Sequence, residues 1–333
     1  MPKLALVTGS TGFLGSNLCR TLLEQGYDVR AFHRTTSSLK LIDDLDMEHA
    51  VGDITQPETI INAMEGVDVV FHTASKVDYW REPDGMYKVN VEGTGHVIRA
   101  ALDARIERVV YTSSVGSLGV PDLNGNSGSD PILLNENHTW NYQPQRWRYG
   151  HAKHMAEYEI QKAVAQGLDV VIVNPSMVLG HGDINRISGQ IVILMAKGVA
   201  ILGIPGGINA IHVDDVVRGH LLALKNGKRG ERYILGGEND TFLRFMQTTA
   251  EIIGVKPPAR IIPAWVLLPM AAPLDLLCRI IPMPFNGDLL RFCSYYMYYD
   301  TQKAEDDLGF KAEYTFRDAI KSTYDWYQAQ GII

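Results

Sequence analysis

Residues 4–15 read Leu4-Ala5-Leu6-Val7-Thr8-Gly9-Ser10-Thr11-Gly12-Phe13-Leu14-Gly15. The continuous apolar run at the start suits a strand buried on both faces of a parallel sheet. Gly9, Gly12 and Gly15 follow at G-x-x-G-x-x-G spacing, and a helical pattern over 13–25 comes next. Glycine permits the tight turn and lets backbone approach a pyrophosphate, while the helix N-terminus supplies unpaired N–H groups and a positive dipole end. A glycine triplet alone marks no more than a turn. In this order it predicts a dinucleotide-binding βαβ unit with Gly9, Thr11, Gly12, Phe13, Leu14 and Gly15 around the cofactor.

Outward from that stretch, apolar runs recur at 29–32, 67–71, 109–111 and 170–173, with helix patterns at 57–65, 84–104 and 149–166. Strand–helix alternation of this kind predicts an α/β fold, a Rossmann doubly wound parallel sheet over 1–175. After Pro175 strands thin out and helices, prolines and methionines take over. Residues 176–333 are expected to form a smaller, mostly helical substrate-binding part, interleaved with the last sheet strands at about 209–236. The connection 119–147, with a Gly/Ser/Asn-rich piece at 124–129, is long enough to suggest a functional loop. Residues 261–285 are very apolar but carry five prolines plus Asp275 and Arg279. That excludes a continuous lipid-facing span and predicts two short buried helices, with contact to a membrane surface as the alternative.

Composition bounds the function. The 333 residues carry a formal net charge of −7, which disfavours nucleic acid as the main partner. Three cysteines, Cys19, Cys278 and Cys293, show no metal-ligand spacing and no disulfide framework. No metal site is expected. The N-terminus lacks a signal-peptide pattern, so a reducing, cytoplasmic setting is the expectation.

At the end of the second strand, where an acidic residue would bind the ribose hydroxyls of NAD, stand His33 and Arg34. A guanidinium there suits the 2′-phosphate of NADP, so NADP(H) is favoured over NAD(H). The plain reading of Arg34 is a solvated loop residue. Asp53 and Ile54 would lie near the adenine, although Asp53 reads equally well as a turn or cap residue.

Tyr149 and Lys153 stand four residues apart, on one face of a helix. A phenol is a poor base at neutral pH, and a fixed cation beside it stabilises phenolate. Such a pair can pass a proton to or from a substrate oxygen while hydride moves at a nicotinamide. Val109 to Thr112 then end in Ser113 and Ser114 at the carboxyl edge of the sheet, where α/β proteins bind ligands. Ser114 would orient the carbonyl, whereas Ser117 is expected beyond the strand end with little role.

With T-G-x-x-G-x-x-G, the Thr112-Ser113-Ser114 strand end, Tyr149-x-x-x-Lys153, Asn174-Pro175-Ser176 and Ile211-His212-Val213-Asp214-Asp215 in this order, the chain resembles an extended short-chain dehydrogenase/reductase over its whole length. This is the NAD-dependent epimerase/dehydratase family. The run 230–239 is similar to the dihydroflavonol 4-reductase-like branch. The resemblance implies Ser114, Tyr149 and Lys153 as the catalytic triad, with Lys153 also holding the nicotinamide ribose. It implies that Thr73, Ala74, Ser75, Thr112, Pro175 and Val178 border the cofactor. Many relatives dimerise through helices equivalent to 84–104 and 149–166, which implies a homodimer by analogy. Asp214 and Asp215 are read as structural caps.

Three departures bear on the reaction. Family dehydratases carry Asp-Glu where this chain has Ser113 and Ser114, so elimination of water lacks its carboxylates. Epimerases commonly carry an arginine before the Ile-His-Val motif, where this chain has Gly206 to Ala210. Trp140, Tyr142, Trp147, Met177, Val178 and Met195 lie on segments expected to border an apolar pocket. The expectation is reversible reduction of a ketone or aldehyde to an alcohol. A sugar-nucleotide 4-epimerase with retained NAD and a non-catalytic dinucleotide sensor are the alternatives.

Overall fold

The computed structural model describes residues 2–77, 83–122, 131–199, 202–258, 260–278 and 287–333. The 124–129 piece and the last part of 261–285 lie outside them. The first strand, β1 (Leu4–Thr8), leads through the glycine turn into α1 (Phe13–Glu24), as read from the sequence. Then come β2 (Asp28–His33), β3 (Glu48–Val51), α2 (Pro57–Ala63) and β4 (Val69–His72). A single helical run follows, from α3 (Pro83–Tyr87) through a π-helical stretch at 88–93 into α4 (Thr94–Asp103). After it come β5 (Arg108–Thr112), a short 3₁₀ turn (Val115–Leu118), α5 (Arg148–Ala165) and β6 (Val170–Pro175).

The seven-stranded parallel sheet has the order β3-β2-β1-β4-β5-β6-β9, in which β9 is Arg232–Leu235. The order reverses between β1 and β4, which opens the ligand crevice beside the glycine turn at the carboxyl ends of the strands. Val69, Val70, Val109, Val110, Val170 and Val171 are buried, as strands covered on both faces require.

Beyond β6 lie β7 (Met177–Leu179), α6 (Gln190–Ala196), β8 (Gly207–His212), α7 (Val213–Asn226), β10 (Glu238–Thr241) and α8 (Phe242–Ile253). β7 and β10 flank β8 in a second, three-stranded sheet. It packs on α6, α8 and α12 (Phe316–Ala329), between which Met195, Phe245 and Phe316 are buried. The remaining helices are α9 (Ala264–Cys278), α10 (Gly287–Phe292) and α11 (Gln302–Leu308).

α9 departs from the expectation. It is one helix of 15 residues with Pro269 and Pro273 inside it, and of its side chains only Leu267 and Ala271 are buried. The two prolines are four residues apart and share the exposed face with Trp265. Each proline removes the amide that would bond the carbonyl four residues before it, on Trp265 and Pro269, and all three residues lie on the exposed face. Among the described residues no helix is long and apolar enough to cross a membrane.

Candidate active site

The glycine turn is built for close approach. Gly9 has φ +72°, and a Cβ there would lie 2.7 Å from Ala74 Cα; a Cβ on Gly15 would lie 2.2 Å from the Gly9 carbonyl oxygen. Gly12 is different: its missing Cβ would meet only that same oxygen, at 3.2 Å. As the N-cap of α1 it offers no side chain to the first-turn amides. Thr11, Phe13 and Leu14 flank this uncapped end. The arrangement suits a pyrophosphate.

The loop after β4 forms the other wall. Thr73 Oγ1 donates to the Thr8 carbonyl, and the Ala74 amide donates to Thr8 Oγ1. Buried Asn90, inside the π-helical stretch, accepts from the Lys76 amide at 2.7 Å and from Ser75 Oγ at 3.2 Å, and donates to the Lys76 carbonyl. The π-turn sets Asn90 against residues 75–76, a placement that periodicity does not disclose.

Tyr149 lies in the first turn of α5. Burial pushes its phenol above the usual range, while hydrogen bonds with the Ser114 and Ser75 hydroxyls pull the other way. Ser114 Oγ also accepts from the Gly116 amide at 3.0 Å, which fixes its position at the start of the 3₁₀ turn. Lys153 is 2% exposed, and its Nζ donates to the Thr112 carbonyl at 2.9 Å. Burial lowers Lys153 to about 7, and the Glu157 carboxylate opposes that shift. Lys153 lies one helical turn from Tyr149, its ammonium tied to the carbonyl that ends β5.

Other expected site residues fall as follows. Thr112 Oγ1 donates to His220 Nε2 at 2.8 Å, since His220 Nδ1 donates to the Val216 carbonyl. That hydroxyl is committed to the core and does not line the crevice. His33 is buried, with Nε2 bonded to His49 Nδ1 at 3.1 Å, while Arg34 is exposed and its guanidinium has no hydrogen-bond or ion-pair partner among the described residues. Asp53 accepts from the Thr55 amide and hydroxyl, the turn reading, and Ile54 is buried against Gly93. Pro175 ends β6, and Val178, on β7 beside Ile211 of β8, packs against the core.

Three expectations are corrected. Ser117 is fully buried: its hydroxyl donates to Glu157 at 2.7 Å and accepts from Asn174 Nδ2 at 3.0 Å. Met195 is core, directed from α6 into the cluster that holds Ala210 of β8 and Phe245 of α8. His212, and not an aspartate, caps α7: its Nδ1 accepts from the Asp214 amide, while Asp215 accepts from the amides of Glu313 and Tyr314. His181, His212 and Asp214 also bring ligand-type atoms within 4.8 Å of one another, a grouping that sequence spacing did not suggest. Trp140, Trp147 and Tyr142 do form an aromatic wall beside α5. Trp147 lies 4.5 Å from the Phe292 ring, and Tyr142 meets Tyr295 edge-on.

A sequence model of the NAD dependent epimerase/dehydratase family matches residues 5–236. The chain belongs to that family. It is similar over its full length to a Synechocystis sp. protein provisionally named a dihydroflavonol 4-reductase, with 35% identity and 97% of that protein covered. It is 26% identical to a 2-alkyl-3-oxoalkanoate reductase of Shewanella oneidensis, covering 95% of this chain and 84% of that one. The crystal structure of gox2253 superposes with TM-score 0.86 at 35% identity, covering 99% of both chains. Within the family the chain is an extended short-chain dehydrogenase/reductase of the dihydroflavonol 4-reductase-like branch, and an NAD(P)-dependent oxidoreductase.

Proposed function

We propose that this oxidoreductase reduces a fairly apolar ketone or aldehyde with NADPH, reversibly, through Tyr149, Lys153 and Ser114. The observation that carries the reading is the Tyr149 hydroxyl, held between the Ser114 and Ser75 hydroxyls one helical turn from Lys153. A bound dihydronicotinamide supplies the hydride that reduces the carbonyl carbon. Tyr149 donates its phenolic proton to the carbonyl oxygen, and Ser114 hydrogen-bonds that oxygen as its charge grows. Burial keeps the phenol protonated until a substrate oxygen takes the proton, which suits a general acid. Lys153 holds the nicotinamide ribose and, when charged, stabilises the phenolate left behind. Ser113 cannot serve in place of Ser114, because its hydroxyl is committed to Glu157.

Residues 176–333, apart from the strands they return to the sheet, are assigned mainly to substrate binding. The aromatic wall of Trp140, Tyr142 and Trp147 favours an apolar substrate, and two reductase-named relatives agree with the reaction class. The test is NADPH oxidation across a carbonyl panel. Tyr149→Phe should keep its fold and cofactor affinity yet lose about 100-fold or more in rate, and Ser114→Ala about 10-fold or more. Retention of more than about a tenth of turnover in Tyr149→Phe overturns the general-acid role. The exposed, unpartnered Arg34 favours NADP(H): Arg34→Ala should weaken NADPH by about 10- to 100-fold and NADH far less. Equal losses would remove that assignment.

A further inference from the structure

Tyr149, Lys153 and Glu157 stand at i, i+4 and i+8 along one face of α5. Glu157 is 7% exposed, yet both of its carboxylate oxygens have polar partners. Oε1 accepts from Ser113 Oγ at 2.5 Å, Ser117 Oγ at 2.7 Å and Asn174 Nδ2 at 2.8 Å, while Oε2 pairs with Arg232 Nη1 at 3.1 Å. Arg232 in turn donates to the carbonyls of Glu136 and His138. The three donors on Oε1 and the guanidinium on Oε2 account for both oxygens of the carboxylate. It ties Ser113, before Ser114, and Ser117, three residues after it, to α5. It also places negative charge one helical turn from Lys153, where burial alone would strip the ammonium of its proton.

We propose that Glu157 is the positioning residue of the site: its carboxylate keeps Lys153 charged and fixes the Ser113–Ser117 turn that presents Ser114 to Tyr149. The proposal rests on the reading of Lys153 and Tyr149 given above. The other groups facing Lys153 cannot replace it. Tyr111 presents its ring at 5.2 Å, His72 is buried and held neutral with its ordinary value lowered to about 3, and Tyr149 is pushed toward its neutral form. His154 and Arg232 both interact with Glu157.

The test has opposite signs in two variants. Glu157→Gln keeps the shape and drops the charge, so the alkaline limb of kcat/KM and of cofactor binding, followed by nucleotide fluorescence, should move down by about one pH unit or more. Arg232→Gln frees the carboxylate from its competing cation, so the same limb should move up. A purely structural Glu157 would lower Tm in both variants with the limb unmoved, and that result overturns the proposal. If Glu157→Gln does not fold, an unmoved limb in Arg232→Gln decides alone. If Lys153→Met leaves turnover and cofactor binding intact, it is the functional reading that fails.

An independent observation concerns the far edge of the molecule. α9 exposes Trp265 (78%), Leu268, Met270, Leu276 and Leu277. Ile261, just before it, pairs with Gly203 and so joins the exposed Leu202 to the same edge. Lys197 and Val255, which precedes Lys256, line one surface hollow. Lys197, Lys256 and Arg260 are exposed and, among the described residues, have no carboxylate partner. The nearby acids are paired: Glu251 with Arg317, while Asp275 and Asp288 share Arg291, which leaves one negative charge against the three cations. The edge is therefore apolar with a net positive rim on a chain of net charge −7.

The geometry points to α9 as a site that lies on an anionic bilayer surface, Trp265 and its neighbours entering the headgroup boundary and the three cations meeting lipid phosphates. Vesicles of phosphatidylcholine with phosphatidylglycerol should co-sediment the protein, and pure phosphatidylcholine vesicles should not. Trp265→Ser with Leu276→Ser should abolish binding, and Lys197→Gln with Lys256→Gln should weaken it and flatten its salt dependence, with turnover unchanged. Failure to bind anionic vesicles, or a concentration-dependent dimer that both sets of substitutions disrupt, overturns the proposal.

Discussion

α5 and α9 are helices of similar length, 18 and 15 residues, with inverted surroundings. α5 is the more polar in sequence, yet it buries Lys153 and Glu157 completely enough to shift the lysine to about 7. α9 is among the most apolar stretches of the chain, yet it leaves Trp265 and four further large apolar side chains in the open. Composition therefore did not decide burial. α5 packs against the strand-end turn and α4, where Lys153 finds an acceptor and Glu157 its donors, whereas α9 has one inward stripe of Leu267 and Ala271. A buried charge that is fully partnered is stable in place, and an exposed apolar face invites a second surface.

The largest expected effect tests the α5 side. Lys153→Met should lower cofactor affinity and turnover together, because one cation serves both. In the cofactor-free protein it should do the reverse to stability. The folded-state value of about 7 lies below the ordinary lysine value of 10.5. The unfolded chain thus binds more protons between those values, and wild-type stability rises with pH through that window. Lys153→Met should be the more stable protein below about pH 7, with the gap closing by about pH 10.5. Equal Tm values at pH 6 and pH 10 would show that the lysine is not held at a cost.

Next in size is Ser117→Ala, which removes one donor to Glu157 and one acceptor for Asn174. It should cost about 1–3 kcal/mol in denaturant unfolding, with a smaller effect on rate than Ser114→Ala. Neutrality would mean the buried network is slack.

Buried His220 and His72 provide an acid-side test. Burial lowers them to about 4 and about 3, so each is neutral in the fold and takes up a proton on unfolding. Stability should fall as pH drops from about 6.5 towards those values, and His220→Gln should make that acid slope shallower. The smallest effect belongs to α9. Trp265→Ser with Leu276→Ser should change stability by no more than about 0.5 kcal/mol, as expected of exposed positions. A loss of several kcal/mol would mean that the face is covered within the chain.

By itself the sequence determined the parts that depend on local periodicity and local backbone demands. Leu4 to Gly15 dictates strand, turn and helix because only glycine fits φ +72° at Gly9 and the 2.2 Å approach at Gly15. Tyr149 and Lys153 share a face because 3.6 residues make a turn. The aromatic wall was legible as a cluster of aromatics on segments bordering the site. The partners of those residues were decided by the tertiary structure. Glu157 lies 40 residues beyond Ser117 and 75 before Arg232, and Asn90 reaches back 14 residues to Lys76 through a π-turn. No period connects such pairs. The same holds for Ser117, placed beyond the strand end by its position in sequence and brought into the core by the 3₁₀ turn. It holds too for α9, whose prolines read as breaks until the fold set both on one outward face. Local sequence fixes dihedral and facial preferences, but desolvation and pairing depend on what long-range packing brings alongside, and only the folded chain supplies that.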